Sequence, residues 1–230
     1  LLEIFNNLFM SCAEQMGLVL QKTSSSINIK ERLDFSCAIF DSKSNLIANA
    51  PHLPVHLGSM SESIKAIKKD KNRKINKGDV FVLNSPYNGG THLPDITVIY
   101  PVFDENNNIA FYTGCRGHHA DIGGITPGSM PPNSKNIHEE GVLIDNFLLV
   151  SKGKFRDKEL KKILSQSKYP SRNIKQNIDD LKAQVAACKT GSEALMNLVK
   201  IYSLNTVKNY MKYVQKNAED SVKRVINKLD

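Results

Sequence analysis

Ile96-Thr97-Val98-Ile99-Tyr100-Pro101-Val102-Phe103, the turn Asp104-Glu105-Asn106-Asn107-Asn108, and Ile109-Ala110-Phe111-Tyr112-Thr113-Gly114-Cys115 read together as a β-hairpin. The arms are rich in β-branched and aromatic residues, and the Asp/Asn cluster between them supplies turn chemistry. Both ends of the hairpin lead into unusual sequence. Upstream lies Thr91-His92-Leu93-Pro94-Asp95, and downstream the stretch Gly114–Pro132, which holds His118, His119 and Asp121 among five glycines and three prolines. That glycine and proline content predicts a loop, with positive φ angles and close backbone approach to a ligand.

Working outward, residues 1–22 repeat apolar side chains at helical spacing, from Leu1, Ile4 and Phe5 through Val19 and Leu20. Leu33 to Phe40, the turn Asp41–Asn45 and Leu46 to Ala48 predict a first hairpin, with Asp34 and Ser36 on one face and Phe35 and Cys37 on the other. The loop from Pro51 to Met60 should lead into a helix at about Ser61 to Lys69, capped by Ser59 or Ser61. Asp79 to Leu83 and Val142 to Val150 predict strands. Beyond Gly153 the period changes to helical, with helices at Asp157–Gln166, Arg172–Lys189 and Ser192 to about Leu229, broken at Tyr169-Pro170 and at Gly191. The chain thus predicts an α/β protein of the mixed α+β kind. Hairpins and loops carry the site in its first two thirds, and the C-terminal part is helical. Residues 1–150 form the strand and loop region, and residues 151–230 a helical region of the same larger domain.

Of 230 residues 40% are hydrophobic and 23% charged, and no apolar run reaches the roughly 18 residues of a membrane span. The net charge of +8 is uneven: residues 151–230 carry 18 basic against 8 acidic side chains, and residues 1–150 carry 13 against 15. The lysines are scattered along helices with few aromatics between them, which argues against a nucleic-acid partner. Four widely spaced cysteines without a C-x-x-C pair suit a reducing cytoplasm. Cys115 reads as a small buried hydrophobe rather than a reactive thiol. The first residue is not Met, and an amphipathic helix rather than a signal peptide begins the chain, so it is expected to start inside a longer reading frame.

All six histidines, His52, His56, His92, His118, His119 and His138, fall between residues 52 and 138. In His92-Leu93-Pro94-Asp95 the proline disfavours a helix, because the residue before it is pushed to extended geometry. The His92 and Asp95 side chains must then converge through a turn. With one histidine of the 118/119 pair they would form a two-His, one-carboxylate set with open positions, the donor set of iron or manganese and sometimes zinc. The other histidine would face substrate or Asp121. An ordinary turn hydrogen bond and a histidine pair filling a polar core are the alternative that residue types leave open. His52 and His56 read first as structural loop residues, and Glu139-Glu140 as a base, a ligand or a solvated turn. No phosphate-binding G-x-x-x-x-G-K-[ST] and no G-x-S-x-G elbow occurs.

Longer motifs carry a resemblance. Glu31-Arg32-x-Asp34-Phe35-Ser36-Cys37-Ala38, Pro54-Val55-His56-Leu57-Gly58-Ser59-Met60, Asn84-x-Pro86-Tyr87-x-Gly89-Gly90-Thr91-His92-Leu93-Pro94-Asp95, Arg116-Gly117-His118-His119-Ala120-Asp121-Ile122-Gly123-Gly124, Glu139-Glu140-Gly141, and Arg172-Asn173 with Asp180-Leu181-x-Ala183-Gln184 run in that order. Together they resemble the hydantoinase B/oxoprolinase family, which includes N-methylhydantoinase B subunits, the C-terminal half of 5-oxoprolinase and acetone carboxylase-type large subunits. The resemblance implies an enzyme subunit, or a fragment of one, that opens a cyclic amide such as 5-oxoproline or hydantoin by hydrolysis. An A-type partner uses ATP, and the assembly is an oligomer. A carboxylase subunit is the alternative within the family, and an inactive module docking an A-type subunit the alternative outside it. The resemblance also implies a divalent metal (Mn, Zn or Fe) on His92, Asp95 and His118 or His119, with His118 taken as the ligand. His119, Asp121 and His56 are then the expected catalytic groups, and Asp34, Ser36, Asn88 and Arg116 the expected substrate contacts. Family members run well past Asp230, so the chain is expected to be an N-terminal portion cut at both ends.

Overall fold

The computed structural model describes residues 1–53, 56–70 and 73–229; Pro54 and Val55, part of one of the motifs above, lie outside the described residues. Seven strands build one sheet: β1 (Phe35–Asp41), β2 (Leu46–Asn49), β3 (Val80–Leu83), β4 (Asp95–Phe103), β5 (Ile109–His118), β6 (Phe147–Ser151) and β7 (Lys154–Phe155). Their order across the sheet is β2-β1-β5-β4-β3-β6-β7. Every pairing is antiparallel. The helices are α1 (Leu2–Thr23), α2 (Ile27–Lys30), α3 (Leu57–Lys69), α4 (Ile137–Glu140), α5 (Asp157–Ser165), α6 (Ile174–Tyr202) and α7 (Leu204–Ile226). The fold is mixed α and β, as the hairpins and the helical C-terminal part indicated.

Period-2 alternation along the strands sends side chains to two separate cores. Cys37, Ile39, Val98 and Cys115 face α1 and α6, where Phe9, Met16, Leu20 and Leu181 are fully buried, and Val80 and Val82 join the same core. Ala38, Phe40, Phe81, Leu83, Ile99 and Tyr112 face the other way, onto Met60, Ile64 and Ile67 of α3. The sheet is therefore the middle of three layers. Each fully buried large apolar side chain contributes roughly 1.5–3 kcal/mol.

Several local expectations are corrected. The second arm of the hairpin, expected to end at Cys115, runs on through Arg116–His118, which are strand rather than loop, because β5 pairs with β4 as far as Asp95↔His118 and with β1 as far as Phe35↔Gly117. Gly117 serves close packing: a β-carbon there would lie 2.9 Å from Ile29 Cδ1. Gly191 does not break α6, which continues to Tyr202. A β-carbon at Gly191 would collide with the Met16 thioether, so the glycine lets α1 and α6 cross closely. The break falls at Ser203, where φ is 72° and the hydroxyl caps α7. Helix α3 begins at Leu57 with His56 in the N-cap position, one turn before the expected start, and Ser59 donates instead to His56 O at 3.2 Å. Residues 142–146, expected as strand, are tied down by the Asn84 side chain. It donates to Val142 O (2.9 Å) and accepts from Ile144 N (2.7 Å), and it also donates to Leu93 O (2.9 Å).

Candidate metal centre

The site grows from register. Ser36 of β1, Arg116 of β5 and Thr97 of β4 are consecutive cross-strand partners, and two residues further along β5 and β4 His118 faces Asp95 directly. Residues two apart share a face, so all five project toward α3. Helix α3 brings His56 over the same end of the sheet, and the turn before β4 brings Thr91 and His92.

Asp95, only 4% exposed, is the hub. Its Oδ1 lies 3.0 Å from His118 Nδ1, and its Oδ2 lies 3.1 Å from His92 Nε2, 3.3 Å from His56 Nε2 and 3.2 Å from the Thr91 hydroxyl. The His92 and His118 rings are 5.1 Å apart. Burial alone would raise the Asp95 pKa, but hydrogen bonds from His118, His56 and His92 outweigh it and hold the carboxyl well below the usual carboxylate range. The hydrogen bond to Asp95 in turn raises His92 above the ordinary imidazole value. One nitrogen each from His92 and His118 and one Asp95 oxygen lie within 4.8 Å of one another. Two imidazoles and a carboxylate with one side open fit a divalent cation of the iron, manganese or zinc type. The open side is His92, whose side chain is 41% exposed against 15% for His118.

Behind the cluster, His56 Nδ1 lies 3.2 Å from the Ser36 hydroxyl, which donates to Leu53 O. Arg116 is fully buried. Its Nε donates to Thr97 Oγ1 at 2.6 Å, and its terminal nitrogens donate to the hydroxyls of Ser59 and Ser63 on α3 and to Gly89 O. Burial lowers its pKa to about 10, which leaves it cationic at neutral pH. One guanidinium thus ties β4 and α3 to the loop that delivers Thr91 and His92.

The structure brings His56, His92, Asp95, His118 and Ser36 together, with Arg116 beneath them. Asp34 stands at the rim: its backbone O accepts from His118 N at 2.9 Å, and its charge helps raise His92. His119 and Asp121 are not brought to the cluster. His119 leaves β5 toward α6, where Nε2 meets Gln184 Oε1 at 3.0 Å and Nδ1 meets Asn177 Nδ2 at 3.1 Å. Fully enclosed, its imidazole has a lowered pKa because burial disfavours the charged form. Asp121 binds the Gly123 and Gly128 amides and the Arg172 guanidinium. Asn88 donates to Asp145 at 2.7 Å. Sequence reasoning gave no site role to Thr91, Thr97, Ser59, Ser63, Asn84, Asn177 and Gln184, although Ser59, Asn84, Thr91 and Gln184 stand in the motifs that carry the family resemblance. Thr97 alone carried a local signal, a polar side chain in a largely apolar strand, which must find a partner when buried.

Fold and site together define a mixed α+β domain with a two-histidine, one-carboxylate centre on the α3 side of its sheet. Residues 1–230 match the family described as Hydantoinase B/oxoprolinase, and the chain belongs to that family. It is 52% identical to the 5-oxoprolinase of Saccharomyces cerevisiae over 235 residues, covering 100% of this chain and 18% of that protein. It is 32% identical to the caprolactamase subunit beta of Pseudomonas jessenii over 84% of this chain and 32% of that subunit. The crystal structure of the ATP-dependent caprolactamase from that organism superposes with a TM-score of 0.86 at 29% identity, over 97% of this chain and 38% of its own. A nucleotide-free acetone carboxylase shares the fold, with a TM-score of 0.81 at 18% identity, over 92% of this chain and 28% of its own. The chain therefore spans about a fifth to two fifths of these proteins. Among the described residues no helix is long and apolar enough to cross a membrane.

Proposed function

We propose that this chain forms the metal-bearing part of a B-type subunit that opens a cyclic amide such as 5-oxoproline or hydantoin by hydrolysis. ATP is consumed on an A-type partner in the cytoplasm. The observation that carries the reading is the His92–Asp95–His118 cluster, at the end of a sheet in a chain half identical to a 5-oxoprolinase. The caprolactamase of Pseudomonas jessenii is ATP-dependent and has a subunit called beta, which supports the division of labour.

In this reading His92, Asp95 and His118 hold the divalent cation, which supplies Lewis acidity toward a carbonyl oxygen or water. His56 and Thr91 orient the Asp95 carboxylate, and Ser36 fixes the His56 ring. Arg116 holds α3 and the 84–91 loop against the sheet. His119 and Asp121 are positioning residues: His119 pins β5 to α6, and Asp121 pins the 121–128 loop to Arg172.

Metal content of the purified chain is the first test. About one Mn, Zn or Fe per chain, lost in Asp95→Asn, supports the reading, and no bound metal in the wild type favours an inactive docking module. Reconstitution with an A-type partner then compares ATP turnover on 5-oxoproline or hydantoin with turnover on a ketone plus bicarbonate. Stimulation only by the ketone would overturn the hydrolase assignment.

A further inference from the structure

Glu139 and Glu140 are adjacent, yet the fold treats them differently. Glu139 closes the turn around α4: Oε2 accepts from Lys135 N at 2.8 Å and Oε1 from Asn136 Nδ2 at 2.9 Å. Glu140 lines a cleft of about 230 Å3 walled by Leu93, Pro94, Met130 and Pro131, with His92 also on its lining. His92 and Glu140 are the two ionisable groups of that cleft. Ser129 also lines it, but its hydroxyl is already used, donating to Gly123 O at 2.6 Å and accepting from Ile122 N at 2.8 Å.

Glu140 is held rather than loose. Gly124 has a φ of 91°, and a β-carbon there would lie 2.6 Å from Glu140 O, so the glycine loop and the Glu139–Glu140 backbone pack directly together. Ile125 N donates to Glu139 O and Val142 N to Ile122 O, each at 2.8 Å. The Ser134 hydroxyl donates to Glu140 Oε1 at 3.0 Å. Among the described residues Oε2 receives no hydrogen bond, and no cation pairs with Glu140. A carboxylate oxygen only accepts hydrogen bonds, and with Oε1 taken by Ser134, Oε2 is left available to a ligand in the cleft that brings an N–H.

Resting on the hydrolase reading above, we propose that Glu140 accepts the ring N–H of the bound cyclic amide, and that this cleft selects small lactams without a nitrogen substituent. The cleft lies below the roughly 300–1,000 Å3 of drug-sized sites, and its Leu, Pro and Met walls suit an aliphatic ring. The exposed edge of His92 places that ring beside the candidate metal. Replacing the N–H by N–CH3 removes the donor and presses a methyl group on the carboxylate, and a site built for a hydrogen bond rejects an analogue that lacks it.

The test uses the Mn2+-loaded chain and the pair 2-pyrrolidinone and N-methyl-2-pyrrolidinone, reading enhanced relaxation of the ligand protons by the metal. The same pair is measured on the metal-free chain by saturation-transfer NMR, so loss of metal binding and loss of N–H preference are separate results. The wild type should bind the N–H lactam about tenfold or more tightly than its N-methyl analogue. Glu140→Ala should bring that ratio to about one while metal content and thermal stability stay unchanged. Equal binding of the two lactams by the wild type, binding of neither, or a preference that survives Glu140→Ala overturns the proposal.

Discussion

His118 and His119 are neighbours in sequence but face opposite sides of the sheet: His118 Nδ1 is 3.0 Å from Asp95 on the α3 side, and His119 Nε2 is 3.0 Å from Gln184 on the α6 side. The alternation of a strand separates them, and it predicts opposite phenotypes. His118→Ala should abolish metal retention while leaving folding stability within about 1 kcal/mol of wild type. His119→Ala should keep the metal and lose about 2–4 kcal/mol, because it opens a closed pocket and takes the His119 partner from Gln184 Oε1. Metal stoichiometry and urea unfolding of the two variants read both quantities, and the reverse pattern would exchange their roles.

The His119 environment also sets a pH dependence. Burial lowers its pKa below the ordinary value of 6.5, so the folded state prefers the neutral ring. The stability this contributes is complete above the unfolded value and is lost as pH falls below about 6.5 toward the lower folded value. His92 acts with the opposite sign, because its hydrogen bond to Asp95 raises its pKa. Comparison with His119→Gln isolates the buried ring. Between pH 7.5 and 5.5 the metal-free wild type should lose more unfolding free energy than the variant. Equal losses would show that His119 takes up its proton in the folded state as readily as in the unfolded chain.

Much of this was legible from sequence because the signals were local. The β-branched and aromatic runs at 96–103 and 109–115 marked the central hairpin, and the turn at His92-Leu93-Pro94-Asp95 marked the hub of the site. What was not legible depended on partners far along the chain. Gly117 looked like a loop signal, yet it sits in a strand whose neighbour, Ile29, needs the space. The fate of His119 depended on Gln184, 65 residues later, and no local pattern records that pairing. Gly191 looked like a helix stop because its role, room for Met16 of α1, is tertiary.

Arg116 offers a test of how the site is held. Four acceptors on three separate segments converge on one planar guanidinium, and a lysine ammonium cannot reach them all. Arg116→Lys should therefore lose about 2–4 kcal/mol, through a buried charge with fewer partners and hydroxyls left unpaired. Amide exchange should rise first in α3, which hangs on the Ser59 and Ser63 contacts. A change within about 0.5 kcal/mol with α3 protection intact would show that apolar packing by Met60, Ile64 and Ile67 holds the helix without the arginine.

The layer behind the candidate metal makes the last prediction. His56 contacts Asp95 at 3.3 Å through Nε2, and its other nitrogen lies 3.2 Å from Ser36, so the pair orients the carboxylate without belonging to the ligand set. Groups that hold a ligand in place typically account for 10–100-fold in metal affinity. His56→Ala should weaken metal binding by about that factor, whereas Asp95→Asn should abolish it. Ser36→Ala should weaken binding less than His56→Ala, because it loosens the ring without removing it, and the double variant should add little to His56→Ala alone. Competition titrations against a chromophoric chelator measure all four. Additive losses from Ser36 and His56 would mean that the serine acts on the site by a route other than the histidine.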